Sequence, residues 1–207
     1  MSELVLPESY TPKCGDDLFT TNDYLFGVLT KWASRYRGEA PTIATHQGKF
    51  LSSTQTVEAF QKSGVIICDW DARRRSMAEE GHDWCILSRF PSYVLSDVDQ
   101  ELMATYIREC VGWKYSNTEL VLQFVDGLFG KVVGHDVLAL RKWGDLWRNG
   151  VICSKTANRP DIKLDLIPRR LEYAAPDSSL DYKLESGVWT VVDKSKNWPC
   201  STLPTSR

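Results

Sequence analysis

Residues 40–60, APTIATHQGKFLSSTQTVEAF, predict a β-hairpin that carries a histidine and a glutamate. Two strand-like runs, TIATHQGKF and QTVEAF, are separated by the polar segment LSST. If the turn centres near Ser52, His46 and Glu58 lie opposite each other on one face, with Cβ atoms about 4.5–5.5 Å apart. A carboxylate in that position can orient an imidazole and stabilise its protonated form. A slip of one residue would separate the two faces, and an incidental surface pair is the alternative interpretation.

The rest of the chain predicts an α+β domain in which an antiparallel sheet packs against helices. Ser96 and Asp99 resemble a capping box that opens a helix over 97–111. The polar segment 71–83 predicts a connector whose three arginines, 73–75, form a solvated face. Apolar patterning predicts the remaining elements: strands at 16–21, 64–70 and 84–90, helices at 23–37 and 117–129, and a late hairpin over 180–193 that turns at Gly187.

Composition excludes several classes of protein. The chain has 207 residues, of which 43% are hydrophobic and 25% charged, as in an ordinary single globular domain. A net charge of −2 argues against nucleic acid as a partner. No uninterrupted apolar run approaches the roughly eighteen residues that a membrane span needs. The N-terminus MSELVLPESYTPKC lacks the features of a signal peptide, so we expect a cytoplasmic location in the producing cell.

The six cysteines show no CxxC spacing, and we interpret them mostly as reduced and structural. Cys153 is the exception, because NGVICSKTANR places two branched apolar residues before it and small or polar residues after it. This pattern predicts that the chain leaves the core and begins a helix at or next to Cys153. A helix N-terminus favours the thiolate, although a buried core cysteine is the alternative. Three other cysteines fit the buried interpretation: Cys68, Cys85 and Cys110.

The order of these motifs resembles the permuted NlpC/P60 group of papain-like cysteine hydrolases. CGDDLF resembles the opening Gly-Asp strand, and a helix, a histidine strand (ATHQGKF) and a VEA strand follow. Much later, VICSK resembles the segment that begins the nucleophile helix, and LIPRRLEYAAP resembles the segment after that helix. The resemblance spans roughly residues 14–175, and it implies the papain-like NlpC/P60 fold in circularly permuted order.

The resemblance also implies the site residues and the chemistry. Cys153 would be the nucleophile, His46 the general base and Glu58 the residue that orients the base. Tyr115, in GWKYSNTELV, and Ser154 would line the substrate and oxyanion site. The implied activity is that of an amidase or endopeptidase acting through a thioacyl-enzyme, with no metal or organic cofactor. The leading substrate class is the amide bonds of cell-wall (peptidoglycan) peptides.

The implied organisation is an N-terminal extension at 1–13, a catalytic domain at 14–195 and a tail at 196–207. The insertion at 127–150 is longer than the simplest relatives would need, and Lys155 stands where many have an acidic or amide residue. Without a secretion signal, a wall-degrading enzyme needs release on lysis or transport in a viral particle. We therefore expect a phage-encoded or virion-associated enzyme, which can be part of a larger assembly.

Three alternatives remain open from the residues. The chain could be a catalytically inactive papain-like module, for example a virion component. Cys14 could be the nucleophile with His46 or His82 as base, although the neighbouring carboxylates would raise the pKa of its thiol. A metal site built on His82 and Cys85 would lack the paired spacing that zinc sites show. His135 fits a capping or surface role.

Overall fold

The predicted hairpin lies inside one antiparallel sheet, and neither of its strands is an edge strand. The computed structural model describes residues 10–21, 44–117, 151–174 and 176–198, and the elements below are numbered within these ranges. The sheet has six strands: β1 Asp17–Thr20, β2 His46–Ser52, β3 Gln55–Phe60, β4 Gly64–Asp69, β5 Trp84–Arg89 and β6 Trp189–Lys194. They pair in the order β4-β3-β2-β1-β5-β6, all antiparallel.

Four α-helices accompany the sheet within the described residues, which confirms an α+β domain with an antiparallel sheet packed against helices. They are α1 Trp70–Glu79, α2 Asp97–Glu109, α3 Cys153–Lys163 and α4 Pro176–Glu185, with short 3₁₀ turns at Pro91–Tyr93 and Arg169–Tyr173. Several expectations fall wholly or largely outside the described residues: the helices at 23–37 and 117–129, the insertion at 127–150, His135 and most of both terminal segments.

The register of the hairpin differs from the predicted one by two residues. Glu58 pairs with Gly48, not with His46, because the turn lies after Ser52 and the ladder is irregular between Phe50 and Ser52. A shift of two residues keeps side chains on the same face of a sheet. His46 and Glu58 therefore still share a face, although the predicted direct pairing was wrong.

Two predictions about local structure were wrong. The segment 71–83 is not a connector, since α1 occupies most of it and begins at the N-cap Asp69, whose carboxylate accepts from the Ala72 N–H at 2.8 Å. The hairpin over 180–193 is also wrong, because α4 continues to Glu185 and only the second half, β6, is a strand. Buried residues of α4 recur at helical spacing, and one of them is a lysine, which hid the pattern: Pro176, Ser179, Leu180 and Lys183.

The two faces of the sheet have different neighbours. On one face, Phe50 of β2 packs edge-on against Trp70 of α1, and Trp70 packs edge-on against Trp84 of β5, with ring centroids 5.1 and 5.3 Å apart. On the other face, Gln47 and Lys49 of β2 reach α3 through side-chain hydrogen bonds. The hairpin thus lies between α1 and α3, and these two helices supply the other parts of the site.

A buried ionic cluster joins β1, β2, α3 and α4. Lys49 Nζ lies 3.0 Å from Asp17 Oδ1 and 2.5 Å from Asp161 Oδ2, and Lys183 Nζ lies 2.6 and 2.7 Å from the same two carboxylates. All four side chains are at most 1% exposed. Each ammonium group thus contacts both carboxylates, which compensates the cost of burying the charges.

Within the described residues, no helix is long and apolar enough to cross a membrane.

Candidate active site

Cys153 is the first residue of α3, as the sequence predicts. The preceding residues hold it there: Val151 forms an isolated parallel bridge with Tyr115, and its N–H donates to the Lys114 carbonyl at 2.8 Å. Val151 and Ile152 are both buried. Because the chain enters the helix directly from this buried segment, the Cys153 sulfur lies at the helix N-terminus. The residue Cys153 is 7% exposed.

His46 lies between the cysteine and the glutamate. Its Nε2 atom is 2.9 Å from Glu58 Oε2, and its side chain is hydrogen-bonded to Cys153. The imidazole stacks on the Phe60 ring, with centroids 5.4 Å apart and an interplanar angle of 20°. Hydrogen bonds and ring stacking together fix the plane of the imidazole. The structure therefore brings Cys153, His46 and Glu58 into one line of contacts, and their catalytic roles stay a prediction.

Glu58 is fully buried, and its carboxylate accepts from three side chains. In addition to His46, Thr56 Oγ1 donates to Oε1 at 2.9 Å. Arg73 of α1 donates its Nε–H to both oxygens, at 3.3 Å from Oε1 and 3.2 Å from Oε2. A buried carboxylate with this many donors stays ionised and cannot rotate freely.

These contacts shift the pKa values of all three groups. Burial alone would lower the pKa of His46, but hydrogen bonds and charge interactions with Cys153 and Glu58 raise it to about 9. Burial would raise the pKa of Glu58, but His46, Arg73 and Thr56 lower it to about 2. Burial would likewise raise the pKa of Cys153, but His46 and the backbone N–H groups of Gln47 and Ser154 lower it. The site therefore favours a thiolate–imidazolium pair beside an ionised carboxylate.

The other described cysteines have the opposite electrostatic setting. All five described cysteines are free thiols. Burial raises the pKa of Cys14, of Cys68 to about 12, of Cys110 to about 11, and of Cys85 well above its ordinary value. Among the described cysteines, the lowered pKa is found at Cys153 alone.

The two residues predicted to line the site lie near Cys153. Tyr115 packs against the same apolar cluster that includes Cys153 and Val151. Ser154 is fully buried; its backbone N–H donates to the Cys153 sulfur, and its Oγ has no hydrogen-bond partner among the described residues. Their roles toward a substrate stay predictions.

The alternative sites are not assembled in the described residues. Cys14 lies two residues before the buried Asp16, and burial raises the pKa of its thiol. His82 pairs with Glu80 at 3.1 Å, and Cys85 packs in the core with Phe19. No group of three or more histidine, cysteine or acidic side chains comes together in a metal-binding arrangement within the described ranges.

Sequence reasoning missed three residues that build the site. Arg73 was assigned to a solvated face, but it is 15% exposed and contacts Glu58. Gly48 was read as part of a strand, but its missing side chain makes room for Glu58, because a Cβ atom there would lie 2.7 Å from Glu58 Cγ. Thr56, on the same face as Glu58, could have been found from the two-residue period of the strand.

Comparison with known proteins adds little. No protein-family model and no curated protein matches the chain. Among solved structures, the chain is similar to the DUF1105 metalloprotein yiiX from Escherichia coli O157:H7. The identity is 15% and the TM-score 0.43, over 92% of this chain and 100% of that one. A similarity of this size determines neither the family nor the chemistry of the chain.

Proposed function

We propose that the protein is a papain-like cysteine hydrolase of the permuted NlpC/P60 type, an amidase or endopeptidase that acts through Cys153, His46 and Glu58. The observation that carries the proposal is the contact of one imidazole with a thiol at a helix N-terminus on one side and a buried carboxylate on the other. The order of the parts supports the permuted assignment, because the strands of His46 and Glu58 precede the cysteine helix.

The first half of the reaction forms an acyl-enzyme. Glu58 occupies His46 Nε2, which leaves Nδ1 to take the proton of the Cys153 thiol. The thiolate attacks the carbonyl carbon of an amide, a C–S bond forms, and the carbonyl oxygen becomes an oxyanion. Backbone N–H groups at the N-terminus of α3 can stabilise that charge. Protonated His46 then gives its proton to the leaving nitrogen as the C–N bond breaks.

The second half releases the acid. A water molecule gives a proton to His46 and attacks the thioester carbon, and the C–S bond breaks as the thiol is regenerated. Glu58 keeps the imidazole in one orientation through both halves. Loss of Cys153 or His46 is expected to remove nearly all of the acceleration, because the two act as a unit, whereas loss of Glu58 costs less.

The proposed substrates are amide bonds in peptidoglycan peptides, as the resemblance to NlpC/P60 hydrolases implies. The proposed setting is a phage-encoded or virion-associated enzyme that reaches the wall in a particle or after lysis. Incubation of the protein with purified peptidoglycan fragments, followed by mass spectrometry, tests this. Cleavage should disappear in Cys153→Ala and persist in Cys14→Ala, which removes the free thiol of the alternative nucleophile.

One observation favours the alternative of an inactive papain-like module. Cys153 and His46 are only 7% and 6% exposed, so little of the thiol faces solvent. Iodoacetamide labelling near neutral pH, mapped by peptide mass spectrometry, separates the two functions. A hydrolase should label at Cys153 well before the other five cysteines, and His46→Ala should abolish that preference. Slow labelling of all six at similar rates would support the inactive module.

A further inference from the structure

Arg73 makes an ion pair with the carboxylate that orients His46. Its Nε–H is shared between both oxygens of Glu58, at 3.2 and 3.3 Å. Its guanidinium carbon also lies over the Phe60 ring, 5.3 Å from the centroid, and His46 stacks on that ring. Arg73 therefore contacts both groups that hold the imidazole, the carboxylate and the phenyl ring, without contact to the imidazole itself in the described structure.

Helix α1, which carries Arg73, is anchored near both of its ends. The helix begins at Trp70, which packs edge-on against Phe50 and Trp84, and its N-terminus is capped by Asp69. Met77, two turns further along, is fully buried. Because both ends of the helix are anchored in the core, the guanidinium approaches Glu58 from a rigid element.

The charges of the site balance only when Arg73 is counted. The pair of a Cys153 thiolate and a His46 imidazolium is neutral, and the ionised Glu58 adds one buried negative charge. Arg73 supplies the matching positive charge at hydrogen-bond distance from that carboxylate. A buried carboxylate whose charge is not compensated is costly, so the cation keeps Glu58 ionised and in place beside His46.

We propose that Arg73 is a positioning residue for the candidate active site, which fixes Glu58 and sets the pH range in which the Cys153–His46 ion pair exists. The inference rests on the proposed function, because it concerns the same ion pair. Loss of a nearby positive charge disfavours the thiolate and favours the imidazolium. The pH profile of Cys153 reactivity has a lower limb, where the thiolate forms, and an upper limb, where the imidazolium loses its proton. Both limbs should therefore move to higher pH without Arg73.

Other ionisable groups near Glu58 would not shift the pH profile of Cys153 reactivity in the same way. On β4, Cys68 interacts with Glu58 and Thr56, but burial raises the pKa of this thiol to about 12, so it stays neutral in the range of interest. On β2, Lys49 belongs to the opposite face and contacts Asp161 of α3 and Asp17 of β1. Among the described residues, the groups that face the ion pair are Glu58 on β3, Arg73 on α1 and the Cys68 thiol on β4.

The test is the rate of iodoacetamide alkylation of Cys153 from about pH 5 to about pH 10, followed by peptide mass spectrometry. In Arg73→Gln, both apparent pKa values should rise, on the order of 0.5–1 pH unit. In Arg73→Lys, the limbs should stay close to the wild-type positions, because the charge is kept, while the rate falls through loss of the shared Nε–H contact. Arg74→Gln is the matched control, since the neighbouring Arg74 is half exposed and pairs with Asp71 on the surface.

The outcomes separate this inference from the proposed function. If the alkylation rate of wild-type Cys153 rises only around the pKa of an ordinary thiol, the ion pair does not form, and both proposals are wrong. If the wild type shows a low-pH thiolate and Arg73→Gln keeps both limbs in place, only the role of Arg73 is wrong. A general loss of folding would lower the unfolding temperature and expose all six cysteines to the reagent, and Arg73→Lys, which retains the cation, would then still report the position of the limbs.

Discussion

Gly48 lies directly across the β2–β3 ladder from Glu58, and a Cβ atom at position 48 would lie 2.7 Å from Glu58 Cγ. The Glu58 side chain uses this space to lean along the sheet toward His46, two residues earlier on β2. Diagonal neighbours of this kind are about 7–8 Å apart along the ladder, so a long acidic side chain is needed to span the distance. Gly48 therefore provides the space in which the Glu58 carboxylate reaches the His46 imidazole.

The substitution Gly48→Ala should displace Glu58 and reduce the reactivity of Cys153. A methyl group at this position forces the carboxylate away from His46 Nε2, and a displacement of about 1 Å can cost on the order of a hundredfold in rate. Alkylation of Cys153 and cleavage of peptidoglycan fragments measure the effect. The backbone at Gly48 does not adopt a left-handed conformation, so an effect would come from the contact with Glu58. An unchanged alkylation rate in a folded variant would contradict the assignment.

The sequence was sufficient to predict the central hairpin, the α+β class and the helix that begins at Cys153. The turn position expected between the two strand-like runs placed His46 and Glu58 on one face, even though the predicted pairing was two residues out of register. Face parity survives an even shift, whereas the identity of the opposite residue does not. The role of Gly48 could not be predicted, since it depends on the true register.

Arg73 and Lys183 could not be placed from sequence, for a common physical reason. Charged residues are normally solvated, so a pattern that counts apolar positions assigns them to the surface. Lys183 is buried and Arg73 is mostly buried here, because partners from other segments compensate their charges: Glu58 for Arg73, and Asp17 with Asp161 for Lys183. Such pairing is a tertiary property, and it concealed both α1 and α4 from the helix prediction.

The imidazole of His46 should titrate with a pKa of about 9 in the native protein. Its neighbours favour the protonated form, so Glu58→Gln and Cys153→Ala should each lower this pKa. Proton–carbon NMR of the imidazole rings measures it, and the chain has only three histidines to assign. The signal of His82, which pairs with Glu80, is the internal control and should not change. A His46 pKa near 6.5 in the wild type would contradict the ion pair.

The depressed pKa of Asp161 should make the stability of the protein fall at acid pH. Burial would raise the pKa of Asp161, but Lys183, Lys49 and Arg89 lower it to about 2, below the value of about 3.9 for an unfolded chain. A depressed pKa contributes stability that is complete above the unfolded value and is lost as the pH falls through the folded one. The free energy of unfolding should therefore fall between about pH 4 and about pH 2.

Urea denaturation across that acid range checks this expectation. Asp161→Asn should lower stability at neutral pH and reduce the slope of stability against pH, because one linked proton is removed. Asp71→Asn, a substitution of an exposed carboxylate in a surface pair, is the matched control. Equal slopes for Asp161→Asn and the wild type would show that Asp161 does not titrate with a depressed pKa.

The ionic cluster also fixes α3 against the strand that carries the candidate base. Lys49 and Gln47 of β2 bind Asp161 and Asn158 of α3, so the hydrogen bonds lie just beyond His46 along the strand and beyond Cys153 along the helix. Lys183 of α4 completes the cluster through Asp17 and Asp161. The geometry of the Cys153–His46 contact thus depends on charges that no substrate would touch.

Lys183→Met should destabilise the protein by about 3–5 kcal/mol, because it leaves the buried carboxylates of Asp17 and Asp161 with one cation fewer. The free energy of unfolding from urea denaturation at neutral pH measures this. Lys163→Met removes a partly exposed lysine that pairs with Glu109 on the surface, and it should cost less than about 1 kcal/mol. Since α3 loses a contact to α4 in Lys183→Met, Cys153 alkylation should also slow under conditions in which the variant remains folded. Similar losses of stability in both lysine variants would mean that the cluster contributes no more than a surface pair.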